Sequence, residues 1–298
     1  MRIFAGDTEL FAQSVTVSES LFDYCATLVF TLSYPMIYDK VSLEVAGQYE
    51  FVPVAVERVN VQEYQYTCYP KAYMDFLQRV TTPINMTGTL PEVLEALAVC
   101  EFEVVNKTQK VHYVLPSMGG KTLIDTLIAE SCAVNGGCPT IHFGLNGTMY
   151  FIDVLAQQNA EVSTSFSGNM VEQRSGASFI NREAGSMRFL FFDDDTQTEQ
   201  IAKFQEGSGM RNMYKLITTE DRKSVEVGKF QAAFWRRFVN NTFVKYDSVF
   251  TLPSSPGCRC TEIGTDKTFI LISRQDIAQD AQSTTYVLFP YGETDQIL

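Results

Sequence analysis

The residues whose types could carry chemistry are few and scattered. The string Gly119-Gly120-Lys121-Thr122 looks like the end of a phosphate-binding loop. The full motif needs a glycine five positions before the Gly of Gly-Lys-Thr, and Leu115 stands there. Pro116-Ser117 supplies no glycine-rich cradle of backbone donors, so the string is read as a strand-to-helix turn in which Thr122 caps a helix. Cys132, Cys138 and His142 lie close in sequence, with Cys100 and His112 not far away. Zinc sites pair their ligands at short fixed spacings, whereas five residues intervene between Cys132 and Cys138. Cys258-Arg259-Cys260 would put two thiols on one face of a strand, with no second pair nearby. The thiols are read as buried small hydrophobes rather than ligands.

Acid–base and nucleophilic catalysis fare no better. Only two histidines exist, which starves general acid–base work of its usual player. A nucleophile pair of Cys132 or Cys100 with His112 or His142 has nothing visible to activate it, and no G-x-S-x-G elbow occurs. His142 alternates with Ile141 and Phe143 on an expected strand, as a solvent-facing or satisfied side chain. Asp193-Asp194-Asp195 lacks the ligand spacing of a calcium loop and reads as a solvated turn. Phe230, Phe234, Trp235 and Phe238 could line a ligand pocket; at helical spacing they read as a core stripe, or a face covered by a neighbouring subunit. Arg236-Arg237 is too small for a nucleic-acid patch. No catalytic, cofactor-binding or metal-binding residue is therefore assigned, and no cofactor is expected.

The totals point the same way. A chain of 298 residues has room for two or three domains. Hydrophobic residues at 45% and charged residues at 19% describe packed cores, and 22 Phe with 14 Tyr suit the faces of pleated sheets. The formal charge of −12 opposes a surface that grips nucleic acid. No apolar run reaches membrane-span length, so no membrane insertion is expected. The N-terminal Met1–Asp7 meets Gly6 and Asp7 before a signal-peptide core develops, which implies a reducing cytoplasm and free thiols for all seven cysteines. The Asn-x-Thr matches at Asn85, Asn106, Asn146 and Asn240 are then chance.

The elements that would position these residues follow from periodicity. Residues 1–70 read as strands, from Cys25–Ser33 through the alternating Val41, Leu43 and Val45 to Tyr69-Pro70, where proline ends the sheet. Thr89 with Glu92 forms a capping box, Pro91 fits the first turn, and Leu90, Val93, Leu94, Leu97 and Ala98 share a face. A strand follows at Glu101–Asn106. A second helix carries Leu123, Ile124, Leu127 and Ile128 after a Thr122/Asp125 capping signal and stops at Asn135-Gly136-Gly137. Pro139–Phe143 then turns through Asn146-Gly147, a two-residue hairpin signal, into Thr148–Val154. Residues 156–180 are polar and loop-like, Ser186–Phe192 and Asn212–Thr218 read as strands, and Ser224–Asn240 is the longest helix. The tail returns to strands at 242–252, 258–263, 269–273 and 284–289.

The expected architecture is mainly β with an α/β insert, two small β-barrel domains separated by an α/β module. Its parts are a first barrel at 1–80, a module of two helix–strand units at 81–155, a polar linker at 156–185, and a second barrel with one helix at 186–298.

In that order of elements the chain resembles the phage baseplate or tail hub family, similar to late-control D proteins and to the hub half of the type VI secretion spike. Three stretches carry the resemblance: TGTLPEVLEAL at 87–97, the helix–strand–hairpin of 122–154, and the late strands SVFTLPSSPGCRCTEI, TFILIS and STTYVLF. It implies a homotrimer presenting a ring of six barrels, adapting a sixfold tail tube to a threefold spike. It also implies other tail proteins as partners and a conduit for DNA or an effector. The charge of −12 leads to the expectation that acidic side chains line that channel, which DNA passes without specific binding. Residence in the virion tail after assembly in the host cytoplasm is implied too, with no catalytic residues to carry over. The competing expectations are another tail or adaptor ring protein, a cysteine-dependent hydrolase, and a carbohydrate-binding adhesin. One barrel instead of two would mark the ring protein, alkylation-sensitive turnover the hydrolase, and exposed aromatic platforms the adhesin.

Overall fold

The computed structural model describes residues 1–36, 39–44, 48–98, 100–106, 108–135, 137–176, 187–193, 198–203, 211–216, 220–249, 254–279 and 281–290. The chain opens with β1 (Arg2–Ala5), β2 (Thr8–Leu10), β3 (Ser14–Ser20), β4 (Thr27–Leu32), β5 (Val41–Glu44), β6 (Gln48–Asn60) and β7 (Glu63–Pro70). Their period-2 pattern turns Val15, Val17, Leu28, Phe30, Leu43 and Tyr66 into one core. Helix α1 (Lys71–Leu77) follows Pro70 without a break. It was not anticipated: with only seven residues, Tyr73 and Phe76 are its sole buried positions, too few to set a visible period.

The α/β module then comprises β8 (Ile84–Gly88), α2 (Leu90–Leu97), β9 (Phe102–Val104), β10 (Val111–Leu115), α3 (Gly120–Asn135), β11 (Pro139–Phe143) and β12 (Met149–Asp153). The capping box at α2 forms as expected, the Thr89 N–H and hydroxyl both donating to Glu92 Oε2 (2.7 and 3.1 Å). Leu90, Val93, Leu94 and Leu97 are buried, while Ala98 leaves the helix in the left-handed region (φ 46°). Helix α3 starts two residues before the expected cap: the Leu123 N–H donates to the Gly119 carbonyl (3.0 Å), so Thr122 lies inside the first turn. The β11–β12 hairpin is wider than a two-residue turn. The Gly147 N–H bonds the Gly144 carbonyl and Gly147 takes φ 81°, an i-to-i+3 turn closed by a left-handed glycine. Tyr73 and Phe76 of α1 pack in this module's core, together with Cys25 of the first β segment.

A short 3₁₀ turn (Ala156–Asn159) leads to β13 (Val162–Phe166) and β14 (Asn169–Arg174). The segment 156–185, expected as a polar linker, thus supplies two strands to the main sheet. Its composition misled because β14 is exposed along its whole length and so carries no buried alternation. Beyond it lie β15 (Met187–Asp193), β16 (Thr198–Lys203), β17 (Arg211–Leu216), α4 (Glu220–Asn240), β18 (Phe243–Ser248), β19 (Arg259–Glu262), β20 (Thr268–Ala278) and β21 (Gln282–Pro290). β16, β15 and β17 form their own three-stranded sheet.

The fold is mainly β. One sheet of 13 strands runs β14-β18-β21-β20-β3-β4-β7-β6-β5-β1-β2, with β13 and β19 branching from β20. Both β segments share this ladder, because β3 pairs antiparallel with β20 from Ser20↔Ser273 to Val15↔Ala278. Among the described residues no pairing joins its two ends, and no closed barrel is seen. The cross-half pair brings Glu19 directly opposite Arg274. The guanidinium Nη2 lies 2.9 Å from Glu19 Oε2, a buried ion pair. Burial pushes the Glu19 carboxyl up, and the Arg274 charge and the Leu145 N–H oppose that shift.

Helix α4 packs on α3 with Gly228 against the backbone of Ala129. It sends Phe234, Trp235, Phe238 and Val239 into a core shared with Leu21, Cys132, Ile270 and Phe289. A Gly228→Val substitution should force the helices apart and cost about 1–3 kcal/mol; an unchanged urea midpoint would show that the helices do not touch there. Replacing Arg274 by Leu should cost about 3–5 kcal/mol at neutral pH by stranding the Glu19 charge. That loss should shrink on acidification as Glu19 takes up a proton, which chemical denaturation across pH will read.

Candidate functional site

The three parts of the chain meet around Glu19. Its Oε1 accepts from the Leu145 N–H of the module's hairpin (2.9 Å), and its Oε2 faces Arg274 of the late strands. Arg274 also donates Nη1–H to the Ser254 carbonyl (3.0 Å), and Asp276 Oδ1 accepts from the Thr284 hydroxyl (2.7 Å). The hairpin is pinned on its other side by backbone bonds, Phe143 N–H to Tyr24 O (2.9 Å) and Ala26 N–H to Phe143 O (2.8 Å). This buried polar junction fastens pieces together; every charge in it faces another protein group.

The residues singled out for chemistry are dispersed, some in cores and some at the surface. Gly120 is a packing glycine, since a Cβ there would stand 2.5 Å from the Phe76 ring. Lys121 Nζ sits 5.1 Å above the ring of Tyr24, whose hydroxyl donates to Asp125 (2.9 Å). Lys121 thus stands as a cation over an aromatic face, not as a phosphate ligand. Cys132 and Cys138 share the core built around α4. Burial pushes the thiols of Cys25, Cys68 and Cys132 up to about 12 and that of Cys100 to about 11. It raises Cys138, Cys258 and Cys260 as well. A thiol protonated at neutral pH is a poor nucleophile. Among the described residues no group of three or more His, Cys, Asp or Glu is placed to hold a metal.

His112 is exposed on β10, its Nδ1 3.0 Å from the Thr87 hydroxyl. His142 departs from expectation: it is 1% exposed, and neither ring nitrogen has a hydrogen-bond partner. The reason is that β11 is covered on both faces, so alternation no longer separates inside from outside. The imidazole stacks on Tyr150 (centroids 5.6 Å apart), and desolvation lowers its pKa to about 4. Of the proposed α4 stripe, Phe234, Trp235 and Phe238 are buried core, while the side chain of Phe230 lies outside the described residues. Asp193 closes β15, and Asp194 and Asp195 lie outside the described residues too.

A cleft of about 330 Å³ opens where α3 and α4 meet the Leu21–Tyr24 loop. Its polar groups are engaged already, Tyr24 with Asp125 and Arg236 with the carbonyl and ring of Phe22. Apolar surface is instead displayed on strands. β6 extends past its partner β5, and Val54, Val56 and Val59 with the adjoining Val61 are 38–77% exposed. On β14, Met170 and Val171 are 58% and 55% exposed. Sequence reading passed over these valines because a β-branched run looks like core until its neighbours are known.

No family model matches the sequence, and no curated protein matches it. Solved structures do match over nearly the whole chain. A tail protein from Neisseria meningitidis superposes with a TM-score of 0.65 at 14% identity, covering 98% of this chain and 96% of that one. A 43 kDa tail protein of a Shewanella oneidensis prophage gives 0.61 at 9% identity, covering 97% of each. A prophage tail protein from Listeria monocytogenes gives 0.57 at 13%, covering 100% and 97%. This chain shares their fold.

Protonation of His142 has a defined sign. Its folded pKa lies below the usual histidine value, so its contribution is complete above about pH 6.5 and is lost as pH falls towards about 4. That loss should approach about 3 kcal/mol. Thermal melts of wild type and His142→Phe between these pH values will check it: the variant should lose less stability on acidification, and parallel pH curves would refute the buried neutral histidine.

Proposed function

We propose that this chain is a structural, non-enzymatic protein of a phage tail. More narrowly, we read it as the central hub, a homotrimeric ring that adapts a sixfold tube to a threefold spike. The observation that carries the reading is the end-to-end match of fold to three tail proteins with TM-scores between 0.57 and 0.65. The site chemistry agrees, because the thiols are held protonated in cores and the buried charges serve to join segments.

In this reading the early and late β segments serve as like-shaped, barrel-like halves, joined through the β3–β20 pair. Three copies thereby present six such units, with the α/β module bracing each pair of halves. The net charge of −12 suits a channel wall that repels phosphates and lets DNA or an effector slide. The partners are sister copies, tube and spike proteins, and the place of work is the virion tail after assembly in the host cytoplasm.

The mass of the purified protein in solution, alone and mixed with neighbouring tail gene products, tests this. A threefold particle in either condition is the expected result. A chain that stays monomeric in both would end the hub reading, as would a ring whose lumen is strongly basic or apolar.

A further inference from the structure

Two outer sheet edges of this molecule are open, and they match one another. Beyond Phe51, the last residue of β6 paired to β5, the outer side of β6 has no strand partner among the described residues. β14, at the end of the sheet path, pairs only with β18. Unpaired edges expose rows of backbone donors and acceptors, which favours pairing with another chain unless charge, proline or bulges blunt them. Both edges also expose large apolar side chains, Val56 and Val59 on one, Met170 and Val171 on the other. Of the other strands in this sheet with one partner among the described residues, β2 is only three residues long and β13 is five.

The two edges carry corresponding irregularities. On β6 the register shifts between Arg58 and Asn60, which makes Val59 the extra residue. On β14 it shifts between Met170 and Glu172, which makes Val171 the extra residue. Each bulged valine is flanked by a charge, Arg58 before Val59 and Glu172 after Val171. Laid antiparallel with the two bulges facing, the strands set Arg58 opposite Glu172. In the single copy these charges are held at the surface. Arg58 donates to the carbonyls of Asn60 and Val61 (3.1 and 2.9 Å), and Glu172 lies 3.1 Å from Arg174.

We propose that copies of this chain join head to tail through these edges, β6 of one copy pairing antiparallel with β14 of the next, Val59 opposite Val171 and Arg58 opposite Glu172. The occupant of each edge is a second copy because the complementary edge, in bulge and charge, lies on the same chain. A contact between different patches repeats around a closed ring and leaves neither edge open. The proposal rests on the ring assembly put forward above and names the surfaces that close it.

The test is a cysteine pair in the full chain. Val59→Cys and Val171→Cys together, under mild oxidation, should give covalent inter-copy species on a non-reducing gel that neither single variant gives. Separately, Arg58→Glu should weaken self-association roughly two- to fivefold, and adding Glu172→Arg should restore it. An associated particle whose double cysteine variant does not cross-link overturns the edge pairing, and so does a charge-swapped double variant that is not rescued. If that particle is threefold, the hub reading still stands. Cross-linked chains that form open fibres, or rings of another number, support the edge pairing and overturn the hub reading. A wild-type protein that never associates overturns both.

Discussion

The structure depends on a charge buried between two strands far apart in sequence. Glu19 occupies an inward position of β3, where Val15 and Val17 are its apolar companions, and it is 2% exposed. A carboxylate taken out of water at such a place is costly unless it is paired. Arg274 and the Leu145 N–H offset that cost, and each comes from a different part of the chain. A buried ion pair is weak support for stability in itself, but it is selective. A one-residue slip of β3 against β20 would turn Glu19 to the other face and strand Arg274, so the pair favours a single register. The sheet's continuity and the seating of the module's hairpin both follow from that one choice.

The same economy explains why groups suggestive of catalysis are spent on packing. Gly120 admits the Phe76 ring, Lys121 covers Tyr24, and Cys132 and Cys138 fill the core beneath α4. Among the described residues the surface carries strand edges and exposed valines, features suited to pairing between chains. The helices act as braces: α4 meets α3 at Gly228 and sets its aromatic face against the late strands and the loop after β3, so the module and the sheet share one core.

Much of this was legible before any coordinates. Pro139–Phe143 appears as a strand with the expected bounds, because both ends carry local signals. The capping box of Thr89 and Glu92 forms for the same reason, being decided within four residues. The mainly-β class, the two helix–strand units and the long helix ending at Asn240 rest on periodicities that span one element each. The likeness to phage tail proteins, read from the order of those elements, agrees with the fold shared with three solved tail proteins, while the narrower likeness to hubs belongs to the proposal.

What tertiary structure alone decided is everything that joins distant residues. Helix α1 was hidden because only two of its side chains find a core. β13 and β14 were hidden because strands at a sheet's margin need no apolar alternation. The burial of His142 depends on what covers β11, and the fusion of two β segments into one ladder depends on β3 meeting β20. Local sequence sets propensity and period, which act over a few residues and survive in isolation. Burial and strand partnership are properties of where the rest of the chain goes, and no single segment contains them.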